Sequence, residues 1–113
     1  MRKDSIIKQI CDELLANGNI TAYAYDHFRQ LDAVELPYVV YRRVAASNFS
    51  ADGVVYHHGD AVDFELYAAD PDEMAELMGL VETAMDERKL FYNLTADTVY
   101  IEPNDFYESL YEL

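Results

Sequence analysis

At 113 residues, 51% of them hydrophobic and 13% aromatic, the chain is the size of one domain, 1–113, and can bury one core. Eight Lys and Arg against 22 Asp and Glu leave a formal net charge of −14, which excludes a general affinity for nucleic acid, because that affinity needs cations to neutralise phosphates. No apolar run reaches the ~20 residues of a membrane helix, the start MRKDSIIKQI lacks the uninterrupted apolar core of a signal peptide, and one cysteine makes neither an internal disulfide nor a metal cluster, so cytosolic synthesis fits.

Asp4 or Ser5 is placed to cap a first helix, with Ile6, Ile7, Ile10, Leu14 and Leu15 as its apolar stripe and Asn17-Gly18 as its stop. Cys11 lies beside the stripe and reads as a small buried hydrophobe. Residues 19–35 have weak periodicity, with a short extended piece expected within 23–28. Asp26 and His27 are a poor catalytic pair, since neighbours on a strand point to opposite faces.

Residues 36–46 and 62–68 are apolar, aromatic and β-branched, and Asp52-Gly53 lies between them. This predicts a long β-hairpin, because a type I′ turn needs positive φ at both central residues. The second arm alternates cleanly: Val62, Phe64, Leu66 and Ala68 against Asp63, Glu65 and Tyr67. Two registers stay open. A simple turn sets Arg42 opposite Asp63, Tyr41 opposite Phe64 and Val39 opposite Leu66. A bulge near His57-His58-Gly59 slips the pairing by one and puts Val40 and Val44 on the face of Leu66 and Val62.

The hairpin tip is the candidate interface, through Asn48, Phe49, Asp52, Gly53, Val55, Tyr56, His57 and His58. A metal site there would need converging ligands, and consecutive histidines in an extended arm diverge. No metal, cofactor or catalytic residue is therefore assigned. The polar set Asp52, His57, His58, Asp60 and Asp63 has neither an oriented base nor an oxyanion device, and no enzyme is expected.

Asp70-Pro71-Asp72-Glu73 opens a second helix with an N-cap, a proline at the first helical position and a capping-box glutamate. Met74, Leu77, Met78, Val81, Ala84 and Met85 line its buried face, and Arg88 and Lys89 complement its C-terminal end. Residues 90–95 and 98–101 are two strands or one bent strand, Pro103-Asn104 turns the chain, and 106–113 alternates again. The resulting fold class is α+β: a mostly antiparallel sheet with a long β-hairpin and two helices packed on one face.

In their order and spacing, several stretches resemble the small tail terminator or head–tail joining proteins of long-tailed, siphovirus-type phages and prophages. They are Ala24-Tyr25-Asp26-His27-Phe28, Leu36-Pro37-Tyr38-Val39-Val40-Tyr41, Asn48-Phe49-Ser50-Ala51-Asp52 with Val55-Tyr56, Glu65-Leu66-Tyr67, Tyr100-Ile101-Glu102, and the run from Phe106 to Glu112. The similarity covers most of the chain from Tyr23 onward, and no catalytic residues are carried over. It implies a structural virion protein, made in the bacterial host cytoplasm, that forms a homo-oligomeric ring, usually a hexamer, at the top of the tail tube. Such a ring stops tube polymerisation, docks to head-completion proteins, and lets genome DNA pass through its bore. An acidic bore would repel phosphates and let DNA slide, although screening limits this to charges within ~8 Å. The alternative is an acidic DNA-mimic inhibitor of a nucleic-acid-binding protein, which requires carboxylates arrayed on one face; here they are scattered along the chain.

Overall fold

The computed structural model describes residues 2–28, 34–44 and 61–113. Helix α1 spans Lys3–Ala16 and helix α2 spans Pro71–Glu87; the strands are β1 (Ala22–Tyr25), β2 (Tyr38–Val44), β3 (Ala61–Ala68), β4 (Asn93–Ile101) and β5 (Phe106–Glu112). They form one sheet in the order β1-β2-β3-β5-β4. Three of its four pairings are antiparallel, and β1 runs parallel to β2. This is the expected α+β architecture.

Helix α1 starts earlier than its expected caps. Its N-cap is Arg2, which makes no side-chain cap, and Asp4 and Ser5 lie inside the first turn. Asp4 still serves the positive end of the helix. Its carboxylate accepts from Arg2 Nε at 3.1 Å and Nη2 at 2.9 Å, and that pairing holds its pKa below the usual range. Gly18 ends the helix at φ 75°, a conformation that costs glycine little. The stripe buries Ile7, Ile10, Cys11 and Leu14, while Leu15 points outward.

Helix α2 begins as its sequence predicts. Asp70 Oδ1 accepts from Glu73 N at 2.8 Å, and Pro71 occupies the first helical position. Glu73 Oε1 reaches back to accept from Ala69 N at 2.9 Å, one residue beyond the usual capping-box partner. Met74, Leu77, Met78, Val81 and Met85 are buried. At the far end Arg88 Nη1 donates to the Ala84 carbonyl at 3.1 Å, and its guanidinium also pairs with Glu13 of α1, tying the two helices together.

Both helices pack on one face of the sheet. Their buried residues meet Val39 and Tyr41 of β2, Val62, Phe64, Leu66 and Ala68 of β3, and Tyr111 of β5 in one cluster. Burying each such side chain contributes about 1.5–3 kcal/mol. In the β2–β3 pair Arg42 faces Asp63, Tyr41 faces Phe64 and Val39 faces Leu66. The simple, unslipped register is the one adopted, and it puts the large apolar groups of both arms under the helices. The Asp52-Gly53 turn and the whole predicted tip lie outside the described residues.

Residues 93–101 form one bent strand. Its pairing with β5 shifts between Leu94 and Ala96 and again between Ala96 and Val99. Thr98 sits at φ 53°, where a β-branched residue is strained. The fully buried Ser109 hydroxyl holds this bulge, accepting from Thr98 N at 2.9 Å and donating to Met78 Sδ at 3.3 Å.

Candidate functional site

Among the described residues, the opposite face of the sheet carries no helix, and it is built from the alternate residues of the same strands. Tyr38, Val40 and Arg42 of β2, Asp63, Glu65 and Tyr67 of β3, and Phe106 and Glu108 of β5 share it, because side chains alternate along a strand. Tyr38 and Tyr67 stack with ring centroids 5.0 Å apart. Phe28 meets Tyr38 edge-on at 5.1 Å, and Phe106 lies 5.3 Å from Tyr67. These rings and Arg42 line a hollow of about 660 Å³.

Arg42 organises the polar end of the hollow. Its Nη2 and Nη1 donate to the two Glu65 carboxylate oxygens at 2.8 and 3.1 Å, and its Nε donates to Asp26 Oδ1 at 3.3 Å. Asp63, directly opposite in the register, is farther away at 3.9 Å. The unslipped register does set Asp63 opposite Arg42, within ion-pair reach, while the guanidinium fork closes on Glu65. Glu65 is the diagonal neighbour on the same face, within reach of a long side chain. The Glu65 hydrogen bond raises the Arg42 pKa further. Asp63 is pushed up by burial and by Glu112 facing it across β5, and Arg42 offsets this only in part.

Asp26 leaves β1 at φ 71°. That departure from the strand brings its Oδ2 within 2.9 Å of His27 Nδ1, a contact that strict alternation disfavours. His27 and then Arg42 hold the Asp26 carboxyl below its usual range. The pair is exposed, with no nucleophile described beside it, and reads as a surface hydrogen bond.

Elsewhere, phenols engage carboxylates. Tyr67 Oη donates to Glu108 at 2.7 Å, and Tyr111 Oη donates to Glu82. Burial and then these acceptors push both phenol pKa values up.

The two outer strands differ in what they expose. On β4, Leu94, Val99 and Tyr100 are 41%, 44% and 46% exposed, and Phe91 just before it is 93% exposed. On β1, Tyr25 is 50% exposed. Large apolar groups in water at a sheet edge suit contact with another chain.

The interface residues predicted at the tip, Asn48, Phe49, Asp52, Gly53, Val55, Tyr56, His57 and His58, lie outside the described residues, as does Asp60. Asp63 of the proposed polar set belongs to the helix-free face. Sequence reasoning missed the aromatic hollow and the parallel β1. The signal for the hollow was the odd-even split of the two arms, which puts Tyr38 and Tyr67 on the side away from the core. Among the described residues, no group of three or more His, Cys, Asp or Glu is placed to hold a metal ion, and no helix is long and apolar enough to cross a membrane. Cys11 is buried, and burial raises its thiol pKa.

A five-stranded sheet backed by two helices on one face, with half-buried aromatic rings around a hollow on the other and large apolar groups exposed on its outer strands, defines a small α+β protein. The family model of the tail completion protein gp17 matches residues 8–109, and the chain belongs to that family. It is accordingly a phage tail structural protein. No curated protein and no solved structure matches the chain.

Proposed function

We propose that this protein is a tail terminator that assembles as a ring on the end of the tail tube, stops tube growth, and offers its far surface to head-completion proteins. The observation that carries this reading is membership of the tail completion family along residues 8–109. Geometry lends support. Among the described residues the outer strands β1 and β4 pair with no further strand, so such a sheet can join neighbours head to tail, and heterologous contacts repeated by rotation close into rings. The candidate contacts Asn48, Phe49, Asp52, Gly53, Val55, Tyr56, His57 and His58 are proposed to meet a partner. Genome DNA would pass through the bore, and the net charge of −14 favours a surface that does not hold phosphates.

The test is tube polymerisation. Purified tail-tube protein is assembled with and without this chain, and tube length is measured by negative-stain microscopy. Capped tubes of limited length bearing a ring at one end are expected. Tubes that grow to the same length with no density at their ends would refute the reading.

A further inference from the structure

We infer that the ring interface is a head-to-tail continuation of the sheet, in which the β4 edge of one copy meets the β1 edge of the next. This deepens the ring reading above and rests on it.

Three independent observations converge on a second copy as the occupant. The first is strand direction. Strand β1 runs with β2, β2 against β3, β3 against β5, and β5 against β4. The two outer strands therefore run in opposite senses. A neighbour related by rotation about an axis roughly along the strands presents its β1 antiparallel to β4. The antiparallel ladder is the better hydrogen-bonding arrangement.

The second is the position of exposed apolar groups. Leu94, Val99 and Tyr100 are exposed on β4, with Phe91 just before it, and Tyr25 of β1 is half exposed, its ring edge-on to Tyr41 and its hydroxyl accepting from Arg43 N of β2. The bulge at Thr98 divides the β4 edge into 93–96 and 99–101. The four residues of β1 match the length of the first stretch.

The third is charge. Residues 1–44, which carry α1, β1 and β2, balance six Lys and Arg against six Asp and Glu. Residues 61–113, which carry β3, α2, β4 and β5, hold fourteen acids against Arg88 and Lys89 alone. A two-fold contact between two β4 edges would gather Asp97, Glu102 and Asp105 of both copies along one seam, and like charges so juxtaposed are costly. Head-to-tail contact sets the acidic half against the balanced half and so avoids that like-charge juxtaposition; near β1, Lys8 is paired with Asp12 at 3.2 Å.

The test uses complementary edge variants, Leu94→Glu with Val99→Glu on β4 and Tyr25→Glu on β1. Circular dichroism verifies that each is folded, and light scattering gives the mass, alone and with tail tubes. The native chain is expected at a multiple of 13.0 kDa and each variant alone at 13.0 kDa. An equimolar mixture is expected to form a two-chain species, because one intact β4 edge and one intact β1 edge remain between them. Variants that assemble like the native chain overturn the edge interface and leave the ring reading standing. A mixture that stays at the single-chain mass also overturns it. A native chain that remains single both alone and with tubes removes the ring reading, and this interface with it.

Discussion

Arg42 lies among the carboxylates of the helix-free face, and its planar fork spans both oxygens of Glu65 while reaching Asp26. A lysine keeps the charge and loses the fork. Arg42→Lys is expected to lower stability by about 1–2 kcal/mol, on the scale of hydrogen bonds to charged groups, as read by urea denaturation. Glu112 makes the opposite case: it faces Asp63 across the ladder and raises that carboxyl. Removing one of two like charges directly opposed should recover a few tenths of a kcal/mol up to ~1 kcal/mol. Glu112→Gln is therefore expected to raise the melting temperature at neutral pH. The gain should shrink as pH falls toward the carboxyl range, where Asp63 takes up its proton in the native chain as well.

The phenols set the alkaline limit. Burial pushes Tyr41 up to about 12, and Tyr67 and Tyr111 also move upward. In the unfolded chain these groups ionise near pH 10. The folded state holds their protons longer, so stability is present below pH 10 and is lost as pH rises from there toward about 12. Phenolate absorbance from these residues is expected to develop together with loss of the helical circular-dichroism signal. Absorbance that completes while the helices stay intact would contradict this.

At the scale of the element, α2 offers a substitution in each direction. Gly79 lies in the middle of this helix, and a Cβ built there meets nothing within 4 Å. Gly79→Ala is expected to stabilise by roughly 0.5–1 kcal/mol, since glycine loses the most backbone freedom in a helix. Asp70→Ala removes the acceptor for Glu73 N and should cost about 1 kcal/mol. Paired thermal melts would show midpoints shifting in opposite senses. The N-terminus of α2 was legible from four residues, because capping is local chemistry. That of α1 was not. Arg2 takes the cap position without side-chain help, and the pattern of Asp4 and Ser5 misplaced the boundary. The strand pattern of the second hairpin arm was equally plain, because Val62, Phe64, Leu66 and Ala68 all belong to the core face. The first arm was ambiguous for a physical reason. Tyr38, Val39, Val40 and Tyr41 are all buried, two under the helices and two on the other face, where aromatic neighbours cover Tyr38.

For the whole molecule, charge dominates. Fourteen acids in residues 61–113 against two bases make that half self-repelling. Screening shortens the reach of such repulsion to about 10 Å at 0.1 M salt and about 3 Å at 1 M. The melting temperature is expected to rise between low and moderate sodium chloride, which calorimetry would record; a flat or falling profile would show that attractive pairs such as Arg42–Glu65 outweigh the repulsion.

Residue order was sufficient for whatever depends on near neighbours: two amphipathic helices, the cap of α2, the alternation of β3 and β5, and the glycine stop at Gly18. It also carried the family likeness, because the spacing of strands and turns is itself written along the chain. Only the folded chain decided which partner Arg42 takes, that β1 lies parallel to β2, and that Ser109 holds the bulge of β4. Each of these joins segments distant in sequence, and their distances depend on how the sheet twists and which face the helices cover. No local pattern encodes that geometry.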